Sequence, residues 1–312
     1  MSAKRSSRID AMLVLLVLCC LGFLAQSVFD AQFAYGFNQS PNNRNVSVDT
    51  RVNITGSAPE IVSTFLLRPI ILAAGSTRVV TCNFSVRDYN GFADIGAVNA
   101  TFFNVAQSSL TAVDNNNTHY TNSSCALIAG EQGGYFSNYT CSFPISYYAV
   151  NGTWNCTGFV NDTIGLATNG SGLTNISALF ALNVTPLIDY GNVAVGSTSE
   201  NQSANVTNLG NLPINVTVRG YGATFNDGLS FVCENGNVSI GAQRFSADIA
   251  AAYAAKTPIT SAYQQIPTFA VSKPVNDTGQ LNATYWQLYL AVSESASGLC
   301  NGTVVFQAES QT

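Results

Sequence analysis

The stretch QSANVTNLGNLPINVTVRGY, residues 202–221, contains two runs, Gln202–Asn208 and Ile214–Tyr221, in which apolar and polar residues alternate. Each run holds a triplet with one apolar residue between an asparagine and a threonine. Residues two apart in a β-strand share a face, so such a triplet directs Asn and Thr to solvent and one apolar side chain to a core. Many triplets share this pattern with Ser or Thr in the third position, among them Asn45-Val46-Ser47, Asn53-Ile54-Thr55, Asn83-Phe84-Ser85, Asn183-Val184-Thr185, Asn205-Val206-Thr207 and Asn215-Val216-Thr217.

Asn-x-Ser/Thr triplets are far more frequent than the composition predicts. Twenty-one of the 32 asparagines open such a triplet, from Asn38 to Asn301, whereas random placement would give about six. The triplet is the acceptor for N-linked glycan, a bulky and solubilising modification of exported protein. The candidate acceptors are Asn45, Asn53, Asn83, Asn99, Asn122, Asn138, Asn183, Asn205, Asn215, Asn237, Asn282 and Asn301.

Charged residues are scarce in this chain. Asp, Glu, Lys and Arg make up 9% of it, against about 25% in a typical soluble protein, and apolar residues make up 46%. Asn, Ser, Thr and Gly must therefore keep the surface polar, and glycan would supply the hydration that charge does not. The net charge is −5 and no basic cluster occurs beyond the N-terminus, so we expect no nucleic-acid partner.

The N-terminus indicates export. Lys4, Arg5 and Arg8 precede an uncharged run over residues 11–29, and basic residues mark the side of such a run that stays cytoplasmic. The length of the run fits a cleaved signal peptide and also an uncleaved membrane anchor. Both interpretations predict that the C-terminal part lies outside the cell.

Six cysteines follow the N-terminal run, and an even count in an exported chain indicates disulfides. They are Cys82, Cys125, Cys141, Cys156, Cys233 and Cys300. The first four allow three pairings. We favour Cys82–Cys156 as a bond between two facing sheets with Cys125–Cys141 closing a local hairpin, and Cys82–Cys141 is the alternative. The last two can pair only with each other within the second half.

Short strand-like segments separated by turn signals fill the chain from residue 60, which is typical of antiparallel β-sandwiches. Turn signals include Asp88–Gly91 and Asn169–Gly170. The segments of the first half are Ile61–Leu67, Arg78–Arg87, Ala97–Val105, Tyr135–Pro144, Thr153–Asn161 and Ile176–Val184. Those of the second half are Leu187–Gly191, Gln202–Asn208, Ile214–Tyr221, Ser230–Glu234, Val238–Arg244, Thr268–Lys273, Thr284–Ser293 and Thr303–Ala308.

One segment of the second half has a different composition. Residues Ser246–Ala255 are rich in alanine, and Pro258 follows them. Alanine has the highest helix propensity, serine is a good N-cap and proline stops a helix. We therefore predict a short helix across one end of the second sandwich.

These patterns predict an all-β chain of four parts. Residues 1–30 form the signal peptide or N-terminal membrane anchor, which would be one hydrophobic helix. Residues 31–58 form a polar stalk that leads into an edge strand. Residues 59–185 form a first antiparallel β-sandwich and residues 186–312 a second one that carries the short alanine-rich helix.

Two stretches resemble known extracellular and immunoglobulin-like modules. Asp189–Gly196 (DYGNVAVG) followed by Val206–Asn211 (VTNLGN) resembles the opening of an ASPM–SPD-2–Hydin-type immunoglobulin-like domain. The first sandwich resembles the immunoglobulin/PKD-like modules of archaeal cell-surface proteins, through Thr81–Asn83, Asp88–Gly91, Asp94-Ile95 and Trp154–Cys156. It lacks the tryptophan that an antibody domain carries shortly after its first cysteine.

These resemblances imply two immunoglobulin-like sandwiches that act as a scaffold or binding module on an archaeal envelope. Neither brings a catalytic motif, and a fold alone does not define a function.

The residues themselves give little sign of catalysis. His119, the only histidine, is expected in a polar loop, and the mature chain has no Cys-x-x-Cys, so a zinc site is not expected. No Gly-x-Ser-x-Gly motif occurs, and a Ser-His-Asp triad would have to use His119. Acidic residues are scattered singly, and Glu131, flanked by glycines, is the one that stands out. We therefore predict no enzyme, no catalytic residue and no cofactor.

One loop has the composition of a weak calcium candidate. Asp88, Asn90 and Asp94 could supply alternating side-chain oxygens, and Gly91 fits the turn of such a loop. The loop lacks a further acidic ligand at the expected distance. A tight turn, with Asn90 and Gly91 in unusual backbone conformations between two strands, explains the same residues, and we favour it.

The sequence therefore predicts a non-enzymatic, N-glycosylated protein of the cell surface with a structural or adhesive role. The expected partners are other envelope proteins or a second copy of the chain, covalent N-glycan, and the membrane through the N-terminal helix. One alternative is a surface filament subunit whose apolar helix packs in the filament core. Another is an extracellular sugar-binding accessory module or hydrolase, in which exposed aromatic rings stack on sugars.

Overall fold

The computed structural model describes residues 47–311. The predicted N-terminal segment 1–30, on which the filament alternative depends, lies outside these residues, as does the candidate acceptor Asn45. Within residues 47–311 no helix is long and apolar enough to cross a membrane. The strands are β1 (Glu60–Leu66), β2 (Thr77–Arg87), β3 (Ile95–Asn104), β4 (His119–Asn122), β5 (Ala126–Gly133), β6 (Phe136–Ser146), β7 (Gly152–Asp162), β8 (Ala167–Ile176), β9 (Leu182–Val184), β10 (Gln202–Asn208), β11 (Ile214–Tyr221), β12 (Leu229–Asn235), β13 (Asn237–Ser239), β14 (Gln243–Ser246), β15 (Thr257–Pro258), β16 (Gln264–Val271), β17 (Gln280–Leu288), β18 (Ser297–Asn301) and β19 (Thr303–Ser310).

The alternation in the sequence decides which side of each strand is buried. In β2 every second residue from Val80 to Val86 is buried, and the residues between them are partly or fully exposed. In β10 the apolar middle residue Val206 is buried, while its neighbour Asn205 is exposed. The orientation predicted for the acceptor triplets is therefore the observed one in these strands.

Two four-stranded antiparallel sheets form the first half of the described chain, in the orders β1-β2-β6-β5 and β4-β3-β7-β8. Their inner faces enclose one apolar core. Trp154 is fully buried in it and stacks on Phe102, with ring centroids 4.8 Å apart. The indole Nε1 donates a hydrogen bond to the Val150 carbonyl oxygen at 2.8 Å, so the one polar atom of this buried side chain is satisfied.

The second half is built in the same way from a five-stranded sheet, β15-β14-β17-β10-β9, and a three-stranded sheet, β16-β11-β19. A small third sheet, β13-β12-β18, is attached to them. Trp286 is buried in the core, where its ring centroid lies 5.2 Å from that of Phe245 and 5.7 Å from that of Phe306. The described chain is all-β, with antiparallel pairing in every sheet, which confirms the predicted fold class.

Three disulfides brace these sheets, and each is the pairing favoured from the sequence. Cys82–Cys156 joins β2 to β7 across the first core, Cys125–Cys141 closes a separation of 16 residues, and Cys233–Cys300 joins β12 to β18. Cys82 is also the register partner of Cys141 in the β2–β6 pair. The alternative Cys82–Cys141 bond would therefore link neighbouring strands of one sheet, whereas the observed bond links two sheets.

The connection between the two halves is fixed by two buried asparagine side chains, one at the end of β10 and one in the turn after it. Asn211 accepts a hydrogen bond at Oδ1 from the Leu179 backbone N–H (2.7 Å) and donates from Nδ2 to the Ser177 carbonyl (3.0 Å). Asn208 donates to the Leu212 carbonyl at 2.7 Å. The segment before β9 is thus tied to the β10–β11 turn. The domain boundary between residues 185 and 186 stays a prediction.

The alanine-rich helix predicted over Ser246–Ala255 is wrong. Ser246 ends β14, and only Tyr253–Ala255 forms a single 3-10 turn. Helix propensity contributes only a few tenths of a kcal/mol per residue, and so short a helix is marginal on its own. Local hydrogen bonds favour a non-helical path: the Asp248 N–H donates to Ser246 Oγ (2.9 Å), and the Tyr253 hydroxyl donates to the Ala242 carbonyl (2.9 Å).

Other predicted boundaries also differ from the structure. Residues 47–58, the described part of the predicted stalk, contain no strand, and the edge strand begins at Glu60. The Asn169–Gly170 turn lies inside β8, where glycine fits because a Cβ on Gly170 would come within 2.8 Å of the Ile61 side chain in β1. The segment Leu187–Gly191 is not a strand, and the predicted strand Ile176–Val184 is divided between the end of β8 and β9.

Candidate functional site

Five acceptor asparagines lie on one sheet surface, which we call the sequon face. It is the outer side of β3, β7 and β8 and carries Asn99, Asn155, Asn161, Asn169 and Asn175. The strand register places Asn99 opposite Phe159 and Phe159 opposite Asn169. The two asparagines therefore flank one aromatic side chain across three neighbouring strands, which are about 4.8 Å apart.

The sequon face contains an open depression of about 480 Å³. The three asparagines nearest to Phe159, namely Asn99, Asn161 and Asn169, line it together with Phe159 itself. The lining combines polar side chains with the aromatic ring of Phe159, and no acidic, basic or histidine side chain belongs to it. Such a lining offers hydrogen bonds and an apolar contact, and it provides no group for acid–base catalysis.

No acceptor asparagine within residues 47–311 is buried. All nineteen acceptor asparagines within residues 47–311 are exposed or partly exposed. The buried asparagines in this part of the chain are Asn104, Asn208 and Asn211, and none of them opens an acceptor triplet. These three use their side chains to hold backbone groups: Asn104 Oδ1, for example, accepts from the Ala106 and Gln107 N–H groups at 3.1 and 3.0 Å.

The candidate acceptors named from the sequence occupy surface positions in the described part of the chain. Asn53, Asn183, Asn205, Asn237, Asn282 and Asn301 are exposed, and Asn83, Asn99, Asn122, Asn138 and Asn215 are partly exposed. In three of them the amide nitrogen that would receive glycan donates a hydrogen bond. Nδ2 donates to the Ser142 carbonyl from Asn122 (2.9 Å), to Glu131 Oε2 from Asn138 (2.9 Å) and to the Ala270 carbonyl from Asn282 (3.0 Å).

A second surface feature, which we call the aromatic tip, lies at one end of the first half. Its side chains are Arg87, Tyr89, Tyr135 and Phe136. The Arg87 guanidinium lies 4.9 Å from the Tyr89 ring centroid and 5.9 Å from that of Phe136, and the two tyrosine rings are 6.3 Å apart. Tyr89 is 58% exposed and Tyr135 54%. Arg87 also forms an ion pair with Glu60, which holds the cation under the rings.

The calcium candidate Asp88, Asn90 and Asp94 belongs to the same tip. Asp88 Oδ1 accepts a hydrogen bond from the Asn90 N–H at 2.7 Å, which is the geometry of a turn closed by an aspartate side chain. Asn90 Oδ1 accepts from the Ser57 N–H at 2.8 Å, and Asp94 Oδ1 accepts from the Thr163 hydroxyl.

The three side chains are thus directed to three different partners. Within residues 47–311 no group of three or more His, Cys, Asp or Glu side chains is placed to hold a metal ion. The predicted turn is present, and Gly91 has a positive φ of 110°, whereas Asn90 does not have a positive φ. The turn explains the contact of Asp88 Oδ1, while the buried Asp88 Oδ2 has no hydrogen-bond partner.

His119 does not lie in a polar loop. It is the first residue of β4 and is buried, with its ring centroid 6.2 Å from that of Phe103. Nδ1 is paired with Asp114 Oδ1 at 2.7 Å, and that carboxylate also accepts from the Thr121 N–H at 3.1 Å. Nε2 has no hydrogen-bond partner, so no hydroxyl or thiol is in position for this imidazole to act on as a base.

Glu131 is paired with an asparagine side chain. It lies exposed in β5, and its Oε2 accepts the Nδ2–H of Asn138 at 2.9 Å. A glycosidase requires a second carboxyl group across the sugar, and Glu131 interacts with an amide instead.

Comparisons with known proteins found no related family and only distant structural similarity. The sequence matches no protein-family model and no curated protein. One similar structure is the CsuC–CsuE chaperone–tip adhesion subunit pre-assembly complex of the Csu pili of Acinetobacter baumannii, with 11% identity, a TM-score of 0.36, and coverage of 79% of this chain and 100% of that one. Tandem immunoglobulin domains of titin have 10% identity, a TM-score of 0.25 and coverage of 83% and 99%.

The C-terminal domain of the Streptococcus agalactiae AgI/II polypeptide BspA is also similar, with 10% identity, a TM-score of 0.22 and coverage of 80% of this chain and 96% of that one. Because all these TM-scores are below 0.5, they carry no argument about the activity or partners of this chain.

The sequon face was not predicted from the sequence, although the spacing of its asparagines contains a signal for it. Asn155 and Asn161 are separated by an even number of residues in β7, as are Asn169 and Asn175 in β8. Even spacing within a strand places residues on one side of it. The remaining step, the pairing of β7 with β3 and β8, depends on cross-strand register, which the spacing does not contain.

Proposed function

We propose that this chain is a non-enzymatic, N-glycosylated protein of the cell surface with a structural or adhesive role. The observation that carries the proposal is the exposure of the acceptor asparagines: the nineteen acceptors within residues 47–311 all reach solvent, and the three buried asparagines lie outside acceptor triplets. An excess that arose only from an Asn-rich composition would place some acceptors in buried positions.

The remaining features agree with this role. A surface with few charges repels its own copies weakly, and glycan on the sequon face would supply both hydration and bulk. Three disulfides suit an oxidising compartment outside the cytosol. Other surface proteins or further copies of the chain would then be contacted through parts of the surface that carry no glycan, such as the aromatic tip.

The proposal is tested by mapping glycan occupancy on the protein from its native source. We expect glycan on several asparagines of the sequon face, detected as glycopeptides after proteolysis. The exposed Asn192, which opens no triplet, is the matched control and should be unmodified. Unmodified asparagine at every acceptor, or recovery of the protein from the cytosol with free thiols, would contradict the proposal.

The aromatic tip supports a second candidate function, the binding of an external sugar. Exposed rings held rigidly over a paired cation are suited to stacking on the apolar face of a pyranose. The test is a glycan array probed with the wild type and with a variant that carries Tyr89→Ala and Tyr135→Ala. Phe225→Ala, at another exposed aromatic residue that stacks on an arginine, is the control. A ligand lost only in the first variant supports this function, and an array without hits removes it.

A further inference from the structure

Lys256 is a buried amine that no described acidic side chain pairs with. Lys256 is only 2% exposed. Neither of the two ion pairs within residues 47–311 includes it. Nζ donates hydrogen bonds to two neutral oxygens, Oδ1 of Asn201 and the carbonyl of Tyr285, each at 3.2 Å. A buried ammonium without a counter-ion is unfavourable, so this environment favours the neutral amine, which is a nucleophile.

The alanine-rich segment after β14 builds this environment. Lys256 follows the 3-10 turn Tyr253–Ala255, and its backbone N–H donates to the Tyr253 carbonyl at 3.2 Å. Asn201 immediately precedes β10, and its Nδ2 donates to the Ile249 carbonyl at 2.9 Å. The carboxamide is therefore held at both ends, its nitrogen by the alanine-rich segment and its oxygen by the amine.

Burial lowers the pKa of Lys256, and the nearby Asp248 carboxylate acts in the opposite direction. Asp248 directly precedes Ile249, the residue whose carbonyl holds the carboxamide. The charge of this carboxylate thus influences the amine, and the carboxylate precedes in sequence the residue whose carbonyl accepts from Asn201 Nδ2. It is the group available to move a proton between the two.

We propose that Lys256 and Asn201 form an intramolecular isopeptide bond. The neutral Nζ attacks Cγ of Asn201, and the pair of electrons of the C=O bond moves to Oδ1. When the carbonyl re-forms, the Cγ–Nδ2 bond breaks. Asp248 accepts one proton from Nζ and delivers it to the departing nitrogen, which leaves as ammonia. An amine and a primary amide are converted into a secondary amide and ammonia, with no oxidant, metal or other reactant.

The bond would have two consequences for the molecule. It would connect the start of β10 to the residue before β15 over a separation of 55 residues, on the five-stranded sheet that also contains β14 and β17. It would also decide the fate of one acceptor triplet, Asn201-Gln202-Ser203, because a nitrogen that leaves as ammonia cannot carry glycan. The inference stands independently of the proposed glycosylation.

Lys273 provides a matched comparison. It also donates to an asparagine side-chain oxygen, that of Asn117, and burial lowers its pKa to about 8. It differs from Lys256 in being only partly buried, and burial is the only cause of its pKa shift, whereas a carboxylate also acts on Lys256. We therefore expect no bond at this second pair.

The test is mass spectrometry of the full chain produced in the periplasm of a bacterium without N-glycosylation. The reduced and alkylated protein is digested with trypsin and a glutamyl endopeptidase, which cut after Glu200, Arg219, Arg244 and Glu294. We expect peptide 201–219 to be joined to peptide 245–294, lighter than the sum of the two by about 17 Da, the mass of one ammonia. Trypsin should not cut after the acylated Lys256.

Variants identify the groups. Lys256→Met and Asn201→Ala should each abolish the joined peptide, Asp248→Asn should slow its formation, and Lys273→Met should leave it unchanged. The proposal is overturned if the wild-type peptides are separate and cut after Lys256, or if the loss of ammonia maps to Lys273 and Asn117. Because the wild-type measurement decides the matter, a variant that fails to fold does not affect the conclusion.

Discussion

Removal of the Cys82–Cys156 disulfide should strongly destabilise the first half and leave the second half nearly unaffected. The proposed change is a double substitution, Cys82→Ala with Cys156→Ala. Both sulfur atoms are fully buried in the first core, so no solvent-exposed thiol is involved. The bond joins β2 of one sheet to β7 of the facing sheet. No other disulfide within residues 47–311 links these two strands.

The size of the effect follows from the loop that each bond closes. In the chain-entropy model the separation of 74 residues corresponds to about 4.5 kcal/mol of stabilisation. The separation of 67 residues for Cys233–Cys300 corresponds to about 4.4 kcal/mol. The separation of 16 residues for Cys125–Cys141 corresponds to about 3 kcal/mol. Together they are comparable with the whole stability of a typical domain, about 5–15 kcal/mol, so the reduced chain should unfold.

The two tryptophans make the assay specific. Trp154 is buried in the first core and Trp286 in the second, so single Trp→Phe variants report the unfolding of one half each. Urea unfolding followed by fluorescence should show a midpoint lower by about 2 M in the half reported by Trp154, for a slope of about 2 kcal/mol per M. The half reported by Trp286 should keep its midpoint.

Two results would refute this reasoning. The first is an unchanged midpoint for the half that contains Trp154. The second is an equal decrease in both halves, which would mean that they unfold as one cooperative unit. The matched control is the double alanine variant at Cys125 and Cys141, which should lower the same midpoint by about two thirds as much because its loop is shorter.

Three further predictions concern single side chains. Asn211→Ala should destabilise the protein by about 1–3 kcal/mol in urea unfolding because it leaves two backbone groups without their partner, whereas Asn192→Ala, at an exposed asparagine outside a triplet, should have no effect. Gly158→Ala should cost about 1–3 kcal/mol because its Cβ would lie 2.7 Å from the ring of the fully buried Phe84, and an unchanged melting temperature would contradict the close packing. Hydrogen bonds from backbone N–H groups, the largest effect coming from Thr224, lower the pKa of Asp227 from an ordinary 3.8 to about 2. The stability this adds is present above pH 3.8 and is lost as the pH falls toward 2, so Asp227→Asn should flatten the acid limb of the pH–stability curve.

Strand positions could be read from the sequence wherever apolar and polar residues alternate over a full strand. The predicted segments Gln202–Asn208 and Ile214–Tyr221 coincide with β10 and β11. The alanine-rich segment could not be read in the same way, because alanine fits a helix, a turn and a buried contact equally well. Its path is fixed by side chains distant in sequence, among them Asn201, whose amide donates to the Ile249 carbonyl.

The disulfide pairing could be predicted only in part from the positions of the cysteines in the sequence. The even count predicted disulfides, the favoured pairing was a bond between facing sheets, and the structure has that bond. Spacing could not exclude Cys82–Cys141, because those residues are opposite each other in neighbouring strands. The choice between the Cys82–Cys141 and Cys82–Cys156 bonds depends on whether Cys156 of the facing sheet points toward Cys82. That direction is a property of the packed sandwich.

The candidate sites were harder to predict because each depends on cross-strand register. Asn99, Phe159 and Asn169 are distant in sequence and become neighbours only when β3, β7 and β8 pair. A shift of one residue in β7 would turn its asparagines inward and expose Trp154 and Cys156. The apolar core therefore fixes the register, and the register fixes the face on which the acceptors lie.

Asparagine serves two opposite purposes in this chain, and the difference between them links the fold to the proposed function. Where its amide can bond to backbone groups that would otherwise be buried and unpaired, as in Asn208 and Asn211, it stabilises a turn and leaves the surface. Where it alternates with an apolar residue in a strand, as in Asn205, it must face solvent. A chain with so few charges needs many residues of the second kind to remain soluble, and acceptor triplets convert those positions into sites for a larger and better hydrated group. Selection for a hydrated surface without charge would therefore produce both the excess of triplets and their absence from the core.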